Sequence, residues 1–221
     1  GLELEDAVRT SKSMIFKAVL AREKVGLGVP CANPLAILRI EAGKAAMLEE
    51  LEEAAARLEQ VMDSGLLPEV GTNMGYAVLG ALEPEEVAAF DGRIVRCGTR
   101  AKRIGCARFG ASKHVARIVL AMSSRDPEAR CAMNIKYSEE NLALCRKARL
   151  SLTSFDRAKE PKGVSSMTWG VLDAIDRRGS VPDIIFDRGG VGKEPMIRLL
   201  GGSPQEVLFK LERIVAGRPR G

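Results

Sequence analysis

The segment FGASKHVARIVL, Phe109 to Leu120, holds the only histidine of the chain. Gly110 and Ala111 allow a tight turn and Ser112 can cap a helix. Val115, Ile118, Val119 and Met122 then follow at helical spacing as an apolar face. His114 falls in the first turn, where unpaired backbone N–H groups favour an anion. Lys113 and Arg117 add positive charge beside it. The same residues also fit a solvated helix start that binds nothing.

Two further stretches carry cations in suggestive places. In GRIVRCGTRAKR, Gly92 to Arg103, strand alternation places Arg93 on one face with Val95, and Ile94 on the other with Arg96. An arginine at a strand start is ordinarily a surface residue; it gains meaning only if it faces His114. In PDIIFDRGGVGKEP, Pro182 to Pro195, an apolar run leads into Asp187, Arg188, Gly189, Gly190, Lys193 and Glu194. Glycines let a backbone approach a ligand closely, and two cations flank them. The glycine spacing is wrong for a Walker A loop, and glutamate rather than Ser or Thr follows Lys193. The pattern therefore points to a phosphate site, with Arg188 and Lys193 holding the phosphate. Asp187 or Glu194 is a candidate for Mg²⁺ beside a diphosphate, because Mg²⁺ takes one or two carboxylates plus phosphate oxygens.

Smaller candidates are Asn73 in EVGTNMGYA, Asn134 in AMNIKYSEE, Ser154, Asp156 and Arg157 in TSFDR, and Ser165, Ser166 and Trp169 in GVSSMTWG. Each also reads as a cap or turn residue. Together they put polar groups at several strand ends, where α/β sheets bind ligands.

The elements that must position these residues can be outlined. Leu4, Ala7, Val8, Ser11, Met14, Ile15, Ala18 and Val19 are spaced as a helix, which GLGVPCANP interrupts. A second helix is predicted from about Pro34 to Asp63, with Met47, Leu48, Leu51, Ala54, Leu58, Val61 and Met62 on one stripe and a face rich in glutamate opposite. That stripe reads as a packed amphipathic helix rather than a coiled-coil arm. Beyond Pro68, strands are predicted at 70–80, 92–97, 130–137, 149–155 and 181–187, and helix starts near Glu83, Ser112, Ser138, Ser165 and Ser203. Ser203-Pro204-Gln205-Glu206 combines an N-cap serine, a proline at the first helical position and a glutamate two residues later. The alternation predicts an α/β layered domain without fixing strand order.

Bulk properties narrow the class. The chain has 221 residues, 46% hydrophobic and 29% charged, as expected of a soluble globular protein. No run of about 18 apolar residues suggests a membrane span. The first residues carry no secretory signature, and the missing initiator methionine is expected of a trimmed or excised piece. Cys31, Cys97, Cys106, Cys131 and Cys145 are scattered and odd in number, which fits reduced thiols in a cytoplasm. A net charge of +5 suits anionic ligands. Aromatic content of 4% and the lack of a helix-turn-helix pattern argue against a nucleic-acid binder, and no membrane association is expected.

Taken in order, PEVGTNMGYAVLGA, FDGRIVR, FGASKHVARIVLA, CAMNIKYSEE, TSFDR, SMTWGV and VPDIIFDRGGVGKEPMIRLLG resemble the archaeal-type thiamine-phosphate synthase domain (ThiN) over about residues 66–217. The segment LEDAVRTSKSMIFKAV…GLGVPCANPLA resembles the tail of hydroxymethylpyrimidine phosphate kinases, to which this domain is commonly fused. The Gly-Thr-Gly turn of those kinases is absent, so kinase activity is not carried over. The resemblance divides the chain into a kinase-tail-like remnant (1–40), an amphipathic connecting helix (41–65) and the synthase domain (66–221).

It implies an α/β fold: a three-layer α/β/α sandwich with a mixed sheet, class II aldolase-like, preceded by N-terminal helices. It implies transfer of a hydroxymethylpyrimidine group from its diphosphate to hydroxyethylthiazole phosphate, with Mg²⁺ as the possible cofactor. The catalytic arginine and histidine of the family map to Arg93 and His114, with Arg96 as the fallback for the arginine. Asn73, Ser112, Lys113, Asn134, Asp156, Arg157, Asp187, Arg188, Gly189, Gly190 and Lys193 are the expected substrate-binding residues. A cytoplasmic location is expected; the apolar stripe of residues 47–62 fits either packing on its own domain or a homodimer contact with a second copy. Related domains fused to helix-turn-helix modules sense thiamine phosphate without making it, and such a sensor is the alternative reading.

Overall fold

A computed structural model describes residues 1, 3–161, 163 and 165–218; the Ser166 side chain lies outside what is described. Its centre is a seven-stranded mixed sheet. The strands are β1 (Met74–Ala77), β2 (Val87–Phe90), β5 (Ala107–Phe109), β6 (Cys131–Lys136), β7 (Leu152–Ser154), β8 (Ile184–Asp187) and β9 (Met196–Gly201). They run in the order β5-β2-β1-β6-β9-β8-β7. Only β7 and β8 pair in parallel; the other neighbours are antiparallel. A separate hairpin, β3 (Ile94–Cys97) and β4 (Arg100–Arg103), stands beside the sheet.

Helices cover both faces, giving the three layers expected. On one face pack α2 (Ala36–Val61), α4 (Glu139–Lys147) and α6 (Pro204–Ala216), through Leu51, Ala55, Leu58, Leu142, Cys145, Val207 and Leu211. On the other pack α3 (Lys113–Ser123) and α5 (Ser166–Arg178), through Val115, Ile118, Val119, Val171 and Ile175. The strands serve both layers by alternation. In β6, Met133 and Ile135 face the first core and Ala132 the second. Antiparallel neighbours with both faces covered explain why these strands read as unbroken apolar runs.

The serines expected to open helices occupy the N-cap positions of α3, α4, α5 and α6. Those of α4 and α6 accept hydrogen bonds from Asn141 N (3.0 Å) and Glu206 N (3.2 Å). The predicted helix at Glu83 is instead one 3₁₀ turn, Pro84–Glu86. Glu83 and Glu86 cap each other there, and the buried run VAAF then continues as β2. The chain also holds strands the patterning missed, β2, β4, β5 and β9, because each is short or interrupted by a charge.

The first helix, α1 (Leu4–Leu20), leaves Leu4, Val8, Ile15 and Val19 exposed. What it buries is Lys17, which pairs with Glu86. Burial works against ionising Glu86, yet amide hydrogen bonds and Lys17 hold its carboxyl below the usual range. No helix among the described residues is long and apolar enough to cross a membrane.

Candidate active site

The polar residues converge on one end of the sheet. There β1 and β9 begin, and β2, β6, β7 and β8 end. The first turn of α3 rests on that end, because Gly75 in β1 has no side chain: a Cβ there would lie 2.9 Å from Val115. Ser112 adopts an extended N-cap conformation but caps nothing with its side chain. Among the described residues, the side chains of Lys113, His114 and Arg117 form no hydrogen bond or ion pair. The helix start is therefore unpartnered and positively charged.

His114 is exposed at the helix start, yet the protein around it replaces part of its hydration. Lost hydration, then the guanidinium charges of Arg198, Arg93, Arg157 and Arg117, push its pKa from 6.5 down to about 4. These four arginines come from β9, the loop before β3, the turn after β7 and α3 itself. At neutral pH the imidazole is uncharged and can offer one N–H while accepting at the other nitrogen.

The arginines are held in different ways. Arg93 donates to the carbonyl of Val70. The adjoining turn needs Gly71, whose φ is +78° and at which an added Cβ would lie 3.2 Å from Arg93 Cβ and Cδ. Arg96 instead donates to Ser64 O at 2.9 Å and is not among the charges that bear most on His114, so the geometry favours Arg93 over the fallback. Arg93 itself precedes β3 rather than alternating within it.

Arg157 and Arg198 share one carboxylate. Arg157 Nε and Nη2 donate to Asp187 Oδ1 (2.5 Å) and Oδ2 (3.1 Å), and Arg198 Nη2 donates to Oδ2 at 2.7 Å. Gly189 N adds a bond to Oδ1 at 2.8 Å. Both guanidiniums lie over the Phe155 ring, 5.6 and 5.3 Å from its centroid. Burial opposes ionisation of Asp187, but the two arginines more than offset it and its pKa is lowered. Arg198 was not singled out from sequence. Its only signal is a charge inside the apolar run MIRLLG.

The glycine loop after β8 joins this site from the side. Gly190 lies against Arg157, with a would-be Cβ 3.8 Å from the arginine Cβ and Cδ. Gly189 has φ +77°, and a side chain there would lie 2.6 Å from Lys193 O. Glu194 accepts from the amides of Glu69 (2.9 Å) and Val70 (3.3 Å), which ties the loop to the segment that carries Arg93. Lys193 donates to Glu160 at 2.8 Å. Asp156 caps its own turn through Ala158 N at 2.9 Å.

Three expectations change. Asn73 and Asn134 are buried and spent on the protein rather than aimed at substrate. Asn73 donates to Phe90 O (3.0 Å) and Gly92 O (3.1 Å) and accepts from Phe90 N (3.1 Å). Asn134 accepts from Asn73 N (2.9 Å) and donates to Gly71 O (3.0 Å). They organise the two backbone segments that present Arg93. Arg188 parts from Asp187 by strand alternation and leans toward Tyr137 (3.1 Å) and Glu139 (3.5 Å) at the start of α4. Asp187 and Glu194 have their oxygens committed to arginines and amides, which does not fit a direct role in holding Mg²⁺. No cluster of three or more metal-ligating side chains occurs among the described residues.

Comparison with known proteins places the chain in a family. Residues 50–213 match the family described as thiamine-phosphate synthase ThiN. A bifunctional thiamine biosynthesis protein ThiDN of Methanocaldococcus jannaschii is 40% identical over 215 residues, covering 97% of this chain and 50% of that protein. The chain thus spans about half the length of that relative. The thiamine-phosphate synthase ThiN of Methanothermobacter thermautotrophicus is 38% identical over 170 residues, 73% of this chain and 90% of that protein. The crystal structure of the C-terminal domain of protein MJ0236 superposes with a TM-score of 0.74 at 42% identity, covering 79% of this chain and 96% of that one. That of the C-terminal domain of phosphomethylpyrimidine kinase gives 0.72 at 38% identity, covering 77% and 99%. By matched length and by identity to a relative nearly all of which is covered, the chain belongs to the thiamine-phosphate synthase ThiN family.

Proposed function

We propose that this chain condenses 4-amino-2-methyl-5-hydroxymethylpyrimidine diphosphate with 4-methyl-5-(2-hydroxyethyl)thiazole phosphate, giving thiamine phosphate and diphosphate. The observation that carries the reading is the arrangement of four guanidiniums around the one histidine, with Asp187 compensating two of them. A site so positive suits two phosphorylated substrates.

In the reaction the bond between the pyrimidine methylene carbon and the diphosphate oxygen breaks, and its electron pair leaves with diphosphate. The thiazole nitrogen forms the new bond to carbon and becomes a positive thiazolium. No proton need be exchanged, so the protein stabilises charge and aligns reactants. Arg93 suits the departing diphosphate because its fork can bind two oxygens. His114, neutral at pH 7, donates one hydrogen bond to the same group; the anion's charge offsets the surrounding arginines as it binds. Ser112 and Lys113 add donors at the α3 start. Arg157 and the Gly189–Lys193 loop take the thiazole phosphate. Neither Asp187 nor Glu194 is placed to hold Mg²⁺; a divalent cation carried by the diphosphate itself would supply charge neutralisation there.

The test mixes purified protein with both substrates and Mg²⁺ and follows thiamine phosphate and diphosphate. Turnover supports the proposal. Tight binding of thiamine phosphate with no turnover would replace it with a sensor. The reading also carries a cytoplasmic location and a homodimer, whose mass light scattering measures.

A further inference from the structure

We propose that Arg198, itself sealed from solvent, is a positioning residue for the transfer: through Asp187 it fixes the Arg157 guanidinium that faces the reacting anions beside His114. This rests on the synthase reading and extends it to a residue that no substrate can touch in this conformation.

Arg198 is 1% exposed and sits in the middle of β9, opposite Asn134 and Ile185. A buried guanidinium is expensive unless paired, and pairing here is incomplete. Its Nη2 reaches Asp187 (2.7 Å) and the Met167 sulfur (3.5 Å), its Nη1 makes a long contact to Met196 O (3.4 Å), and its Nε has no partner. An apolar residue would suit an α/β core better. The residue is therefore placed for something other than stability.

What it does geometrically is clear from Asp187. One carboxylate oxygen serves Arg157 and Gly189 N; the other serves Arg157 and Arg198. Removing Arg198 takes from Asp187 the one bond that anchors Oδ2 to the core; Arg157 and Gly189 still hold the carboxylate, but the three can then shift together away from β9. Phe155, over which both guanidiniums lie, loses one of two cationic neighbours. Arg198 is also first among the charges acting on His114, ahead of Arg93 and Arg157 from facing loops and Arg117 from the same helix.

The test uses Arg198→Met and Arg198→Lys in the full chain, with folding checked by thermal melting. Because the chain has one histidine, proton NMR follows its titration without assignment. For Arg198→Met we expect turnover to fall about 10²-fold, as for a misplaced catalytic geometry. The histidine midpoint should rise from about 4 toward its usual 6.5. Arg198→Lys should keep the low midpoint but not restore full turnover, since a single ammonium cannot reproduce the fork. A folded Arg198→Met with either turnover or midpoint unchanged overturns the proposal. If Arg198→Met does not fold, Arg198→Lys decides, and full turnover in it overturns the proposal. If the wild-type chain shows no turnover, the synthase reading fails. The midpoint and the affinity for inorganic diphosphate, expected to weaken about 10-fold in Arg198→Met, then decide the positioning role.

Discussion

The two ends of strands β8 and β9 each hold buried cations, and they treat them oppositely. At one end Lys210, 8% exposed, donates to Leu200 O (2.6 Å) and pairs with Asp183 (2.9 Å) and Glu206 (2.6 Å). Every proton of its ammonium has a partner. At the other end Arg198, Arg157, Arg93 and Arg117 surround His114, and Asp187 answers only Arg157 and Arg198. The first cluster is closed and serves the fold. The second is left electrically open: Arg93 and Arg117 are exposed and unanswered by any carboxylate, and an entering anion would meet them. Charge that the fold leaves uncompensated thus marks where an anion would bind.

The comparison breaks most sharply under mutation. Replacing His114 or Arg93 by alanine should lower turnover about 10²–10³-fold while leaving the fold intact, as steady-state kinetics and circular dichroism will show. Lys210→Met should do the reverse. It strands two carboxylates and should cost about 1–3 kcal/mol in denaturant unfolding, with kcat and KM unchanged. A loss of activity there would mean that the two ends are coupled.

A smaller effect sharpens the same contrast. Arg157→Ala should lower turnover at least as far as Arg198→Met, about 10²-fold, and raise the KM for the thiazole phosphate, as steady-state kinetics will show. The smallest effect is one of pH. His114 has a lowered pKa in the folded chain, so the unfolded chain binds more protons between about 4 and 6.5. Stability should therefore rise with pH across that window and be indifferent to this group above it. His114→Asn should flatten that part of the profile. Asp187, lowered instead, should contribute stability that is lost only as pH falls below the ordinary carboxylate value of 3.8.

Much of this was legible in the sequence, for identifiable reasons. The helix starts at Ser112, Ser138, Ser165 and Ser203 came from cap chemistry, which acts within four residues and so can be read locally. The apolar stripe of α2 came from periodicity; Leu51, Ala54 and Leu58 are buried, and Met47, Leu48 and Val61 partly so. His114 was found because it is alone. Arg198 was missed because nothing local distinguishes a buried arginine from a strand's surface one; only the pairing of β9 with β8 brings Asp187 to it. Asn73 and Asn134 misled for the complementary reason. Their type fits ligand binding, but their partners, Phe90 and Gly92 for one and Gly71 for the other, are set by a strand order that no local pattern encodes.

Glu194 holds the amides of Glu69 and Val70, and the carbonyl of Val70 holds Arg93. The glycine loop is thereby geared to Arg93 although 93 and 194 are far apart in the chain. Surface loops ordinarily drift in length through evolution at little cost. This one should not: a single inserted residue between Gly189 and Glu194 shifts the carboxylate off both amides and releases Arg93. The exposed tip of the β3–β4 hairpin at Gly98 and Thr99 carries no such linkage. Homologous chains should therefore vary freely in length at the hairpin tip and hold a fixed count in the glycine loop.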